Sequence, residues 1–165
     1  MTPAITLEEL VAWDHESAVF WKAHLGANPA LLRLPCGIGG AADVQEFVRH
    51  IWAVELRWGQ LLAGLPVLSR KETPAGPLEA LFVLHLEAMR IFGALLGDPA
   101  QDWGQTINLT YDWLSPEARN FSRRKIMSHA LVHSQRHWAQ LSTLLRAAGF
   151  PTNFRGDLLF SSTLI

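Results

Sequence analysis

Cysteine is nearly absent from this chain. Cys36 is the only one among 165 residues, so no intramolecular disulfide forms and no thiolate zinc cluster can be built. Charge is scarce too. Charged residues make up 18% and the formal net charge is −1, which argues against a surface-wide nucleic-acid footprint. The one basic run, Arg123-Arg124-Lys125, is short and reads as a solvated helix end. No run approaches the roughly 18 apolar residues of a membrane span. Met1-Thr2-Pro3-Ala4 has no basic segment leading into an apolar stretch, so no signal peptide is expected. The expectation is a soluble cytoplasmic protein with neither nucleic acid nor membrane as partner.

Other residues are plentiful. Apolar residues reach 49%, and seven tryptophans stand against one tyrosine. Such a chain is not disordered, and its large rings suit a thick core or an apolar cleft. Its length fits one domain over residues 1–165.

Helical periodicity recurs four times. A first helix is expected from about Thr6 to Leu25, with a Thr6/Glu9 capping box and a stop at Gly26 and Pro29. Residues 27–42 read as a loop broken by Pro29, Pro35, Gly37, Gly39 and Gly40. Cys36 lies there with no signature of a nucleophile. A second helix runs from near Asp43 to Gly64, and a third from about Pro77 to Leu96. Thr106 to Tyr111 alternates and favours a short extended piece. A fourth helix begins between Ser115-Pro116 and Ser122 and ends at Ala148; the apolar tail, 156–165, is expected to pack back on the body. The architecture is all-α, a four-helix bundle with long connections.

Three histidines, His129, His133 and His137, recur at intervals of four in the last helix. At 100° per residue, Ile126, Ala130, Leu141, Leu144 and Ala148 cluster on one face. His133 and His137 fall inside that arc, and His129 lies at its edge. Burying two imidazoles together is costly unless each finds partners, and one divalent metal satisfies both in the neutral form that burial favours. The competing reading is a pair of core histidines bonded to neighbours. Catalytic zinc sites use three protein ligands. His50, His85, His15 and Glu55 are candidates for the third, and periodicity alone does not choose among them. Glu55 projects close to an apolar stripe, so it is either paired with a base or faces a polar cleft. His24 reads as a surface residue at a helix end.

Several motifs are missing. The positions after His129 and His133 are Ala130 and Ser134, so the zinc-peptidase His-Glu-x-x-His is absent. No glutamate lies three residues before a histidine, as bundle di-iron sites require. There is no Gly-x-Ser-x-Gly and no phosphate loop.

Two stretches carry a family resemblance. One is His50-Ile-Trp-Ala-Val-Glu55-Leu-Arg-Trp58. The other is His129-x-x-x-His133-x-x-x-His137-x-x-Gln140, followed by Leu144-Leu145-Arg146 and Gly149. With the tail Asp157-Leu158-Leu159-Phe160 they resemble, in order, the DinB family of DinB/YfiT-like metalloenzymes. The resemblance implies a bundle with a three-histidine metal site of His50, His133 and His137. It leaves His85 as a core or supporting residue, His129 as a neighbour and Gln140 as a hydrogen-bonding support. The metal is a divalent transition ion, such as zinc, nickel, iron or manganese. Characterised relatives use low-molecular-weight thiols, so the implied activity is a metal-dependent transferase, isomerase or hydrolase that activates a small thiol or water against an electrophile. Glu55 is the candidate catalytic residue, for support or proton transfer, with Trp52, Trp58 and Trp138 around the pocket. The alternative is a non-catalytic metal-binding, stress-response or dimerisation module, and a homodimer is expected. Where the family has Arg-Gly after the last histidine, this chain has Trp138-Ala139, which places a shared dimer contact or cleft shape in question.

Overall fold

Local capping chemistry sets the four helices in the computed structural model, which describes residues 5–110 and 119–163. Helix α1 spans Leu7–Ala27. The Thr6 N–H donates to Glu9 Oε2 (2.7 Å), and the Glu9 N–H donates to Thr6 Oγ1 (3.1 Å), so two otherwise orphaned donors are satisfied. The helix passes the expected stop at Gly26. It ends at Asn28, whose position before Pro29 excludes helical backbone; Asn28 Nδ2 closes the end by donating to the His24 carbonyl at 2.9 Å. The expected loop then contains two short 3-10 helices, Pro29–Arg33 and Ile38–Gly40.

Helix α2 spans Val44–Leu62, with Asp43 accepting from the Glu46 N–H at 2.8 Å. Helix α3 spans Leu78–Leu96 and starts after Pro77. Strand β1, Thr106–Asn108, pairs antiparallel with β2, Asn120–Ser122, placing Ile107 opposite Phe121. Helix α4 spans Arg123–Ala147 and is capped by Ser122, whose Oγ accepts from the Lys125 N–H at 3.2 Å. It stops where Gly149 takes φ +87°, a left-handed conformation that favours glycine. The expectations on Met1–Ala4, Tyr111 and Ser115-Pro116 lie outside the described residues.

Helices α1 and α2 each pack against both α3 and α4, as in a four-helix bundle. Trp21, Trp52 and Trp138 are fully buried at its centre. Trp138 stacks on Trp21 (centroids 5.7 Å, planes 17° apart) and meets Trp52 edge-on at 5.9 Å. Trp52 and Trp138 therefore fill the core rather than surround a pocket. Trp58 is half-buried and packs edge-on against His129 at 5.6 Å. Arg123 is not simply solvated: it donates to the Leu62 carbonyl and to Gln101 Oε1, tying α4 to the end of α2.

The tail does return to the body, but by polar contacts. Ser161 and Ser162 hydroxyls donate to Glu16 at 2.7 and 2.8 Å, while Leu159 stays 87% exposed. Among the described residues no helix is long and apolar enough to cross a membrane.

Candidate metal centre

His50 reaches the site from α2, and His133 and His137 from α4. One ligand nitrogen from each lies within 4.8 Å of the others. The His133 and His137 rings stand perpendicular, with Nε2 atoms 3.0 Å apart. The His50 ring centre lies 5.5 Å from that of His133 and 5.3 Å from that of His137. The i, i+4 spacing on α4 places its two rings one turn apart on one face.

Hydrogen bonding orients the set. His137 Nδ1 lies 2.6 Å from Gln140 Oε1. The oxygen only accepts, so Nδ1 carries the proton and Nε2 presents a lone pair. Two Nε2 atoms at 3.0 Å share at most one proton, and a cation can take that proton's place. All three imidazoles resist protonation, mainly through burial. His50 is lowered to about 4, helped by His137 and by the Arg70, Arg57 and Arg136 guanidinium groups. His133 is lowered to about 3, helped by His137 and His50. His137 is also lowered by burial, against an upward pull from Gln140. Near neutral pH the three are unprotonated, as ligation requires.

The donor set fits a divalent ion. Metal–nitrogen bonds of about 2.0–2.1 Å place tetrahedral neighbours roughly 3.4 Å apart, within reach of small side-chain rotations. Three imidazoles also leave room for a further ligand. His129 is exposed and lies 5.8 Å, centre to centre, from His133; it borders the group without joining it. Phe47 packs edge-on against His137 at 5.1 Å.

The structure puts Glu55 elsewhere. It is fully buried, with Oε2 2.7 Å from His85 Nδ1 and Oε1 accepting from the Ser134 hydroxyl at 2.6 Å. Of the two expectations for this carboxylate, pairing with a base is the one realised. His85 Nε2 continues to His15 Nδ1 at 3.0 Å. Asp14, also fully buried, accepts from Gln135 Nε2 at 3.3 Å, and Gln135 Oε1 accepts from the Ser17 hydroxyl at 3.1 Å. All four helices contribute to this network. Burial raises Glu55 to about 8 and pushes Asp14 well up, and it lowers His85 to about 4. One proton between Glu55 and His85 leaves that pair neutral overall, the state a dry core favours.

One donor atom from each of Asp14, Glu55 and His85 also lies within 4.8 Å of the others. All three are enclosed, and both His85 nitrogens are already engaged. This second cluster is therefore a core network without an open face. Asp14 had no distinguishing signal beyond its position before His15, one of the candidates for a third ligand. Glu55 was visible as a carboxylate close to an apolar stripe, and His85 as a candidate ligand that the resemblance left in a core or supporting role. His24 is half-buried rather than solvated, stacked on Phe20 at 5.8 Å. Cys36 is half-buried and burial pushes its thiol up, so it is not an activated nucleophile.

A model of the DinB family matches residues 38–155, a stretch that includes His50, Glu55, His85, His133 and His137 and omits α1. No curated protein matches the chain.

Proposed function

The chain belongs to the DinB family, and on that premise we propose that it is a metal-dependent enzyme acting on a small thiol or water and an electrophile. His50, His133 and His137 hold a divalent ion, with zinc, nickel, iron and manganese all compatible with imidazole donors. The observation that carries this reading is the convergence of three neutral imidazoles from two helices, one of which, His50, lines an open cleft. A bound ion there supplies Lewis acidity, which lowers the pKa of a thiol or water brought to it. The chain's own groups do the rest. Gln140 fixes the His137 tautomer and ring plane. Burial and nearby guanidinium groups keep the imidazoles unprotonated. Phe47 closes one side of His137 with apolar surface.

Glu55 is a positioning residue in this reading. It grips Ser134, the residue after His133, and so sets α4 against α2. The test is metal analysis of untagged protein followed by a thiol–electrophile activity screen. One tightly held ion per chain and activity lost in His133→Ala support the proposal; stoichiometric ion binding unchanged in that variant would defeat the ligand assignment.

A second reading is a non-catalytic metal-binding or dimerisation module. Exposed Val83 and Leu86, three residues apart on α3, favour a homodimer joined through helix faces. Sedimentation analysis of wild type and Val83→Glu distinguishes a dimer from a monomer.

A further inference from the structure

A cleft of about 200 Å³ opens beside His50. Its floor is one face of α2, carrying Arg49, His50 and Arg57; Gly39 and Gly40 stand on one side, and Arg70 and Thr73, from the connection between α2 and α3, on the other. Three guanidinium groups therefore face a space with one carboxylate, Glu46, in its lining. Glu46 is already engaged, accepting from the Ala42 N–H at 2.8 Å.

The arginines divide into two kinds. Arg57 is a strut: it donates to the Leu68 carbonyl at 2.9 Å and to the Thr73 hydroxyl, and so holds the connection over α2. Arg49 and Arg70 make no hydrogen bond or ion pair among the described residues. Like charges gathered around a concave space repel one another, and focus a positive potential into it. A guanidinium fork matches the planar or tetrahedral oxyanions of carboxylates and phosphates, often with two parallel hydrogen bonds. The cleft lies below the roughly 300–1,000 Å³ usual for drug-sized ligands, so it suits one small charged group rather than a polymer. The chain as a whole carries a net charge of −1, so the cleft's excess of positive charge is local rather than a property of the whole surface.

We propose that this cleft is an oxyanion subsite, in which Arg49 and Arg70 hold the carboxylate or phosphate of a small substrate while its reacting end lies toward His50. The placement of the reacting end rests on the three-histidine reading; the anion site itself does not.

The test is calorimetric titration of the intact chain, as purified and after metal has been stripped and the chelator dialysed away, using inorganic phosphate and malonate separately at constant ionic strength in sodium chloride. Saturable binding of either anion in both samples is expected, and the tighter one identifies the oxyanion. Arg49→Gln and Arg70→Gln should each weaken binding by about tenfold, with circular dichroism checking the fold. Arg70 is exposed, so its variant stays informative if Arg49→Gln is destabilised. His133→Ala should bind the anions as wild type does. Three results would overturn the proposal: no saturable binding, binding unchanged in Arg70→Gln, or binding lost in the metal-stripped, chelator-free protein, which would place the anion on a metal instead. Failure of the three-histidine reading would show separately, in metal stoichiometry.

Discussion

Removing metal should lower the melting temperature, and the size of the change follows from the site. His50 meets His133 and His137 only when α2 and α4 are packed, so the complete site exists in the native state alone. Free ion at 100 times Kd then stabilises the native state by about 2.7 kcal/mol. For a chain of 165 residues, each kcal/mol moves the midpoint by roughly 2–4 °C, which gives a shift of about 5–11 °C. Proton competition subtracts little at pH 7, because His50 and His133 titrate near 4 and 3. The assay is differential scanning calorimetry with and without chelator. His133→Ala leaves two ligands. If that weakens the ion about a thousandfold, the same concentration contributes under about 0.1 kcal/mol and the shift disappears. His129→Ala should keep it, since His129 lies outside the group. A full shift in His133→Ala, or none in wild type, would refute the reasoning.

Other outcomes follow from the surrounding residues. Gln140→Ala should weaken metal affinity by about 10–100-fold, measured against a chromophoric chelator, with little change in metal-free stability; unchanged affinity would mean that the bond to His137 does not orient it. In metal-free protein near pH 6.5–7 the site histidines still bind protons when unfolded but not when folded, because burial lowers them, so they add a rise of stability with pH that Glu55→Gln shares with wild type. Glu55, raised to about 8 from 4.5, is protonated only in the folded state between pH 6.5 and 8, so the native form binds that extra proton and the contribution of Glu55 to stability falls as pH rises toward 8. Measured in urea titrations as the difference between wild type and Glu55→Gln, the loss between pH 6.5 and 8 should be about 1–2 kcal/mol; a difference that does not change with pH would refute the assignment to Glu55. Trp138→Ala should cost about 3–5 kcal/mol by denaturant unfolding, because the ring is fully buried between Trp21 and Trp52; a loss under 1 kcal/mol would contradict that packing role.

The helices were legible because their signals are local. Thr6/Glu9 and Asp43/Glu46 stand within one turn of each other, and the caps form as their spacing implies. The stop of α1 was misjudged because Gly26 is tolerated inside a helix, whereas the residue before a proline is restricted. Strand β2 gave no signal, since the three residues Asn120–Ser122 are too few to establish a period and become a strand only through pairing with β1. On α4 the histidine pair was legible but its setting was rotated. Leu144 is half-buried and Ala148 exposed beyond the helix end. Ile126, Ala130 and Leu141 are buried as expected, but the buried arc extends further round the helix through Leu131, Ser134, Trp138 and Leu145. His137 and His133 therefore sit at its edge, where a cleft can reach them. Asp14 and the arginine cleft could not be read along the chain, because each depends on segments distant in sequence meeting in space.

The two polar clusters share the same helix pair, and this bears on how the histidine site is held. On α4, His133 and Ser134 are consecutive, so their side chains diverge by about 100°. Ser134 turns inward to Glu55 while His133 turns toward His137 and His50. On α2, Glu55 faces the core and His50 faces the cleft. The Ser134–Glu55 bond thus fixes the register of α4 against α2 next to the point where the three imidazoles must converge. A leucine pair would bury as well, but apolar contacts tolerate sliding, whereas a short hydrogen bond between two fully enclosed groups does not. Keeping a carboxylate in a dry core costs stability. The return is a histidine cluster already assembled before any ion arrives, so less of the binding free energy is spent on ordering the helices.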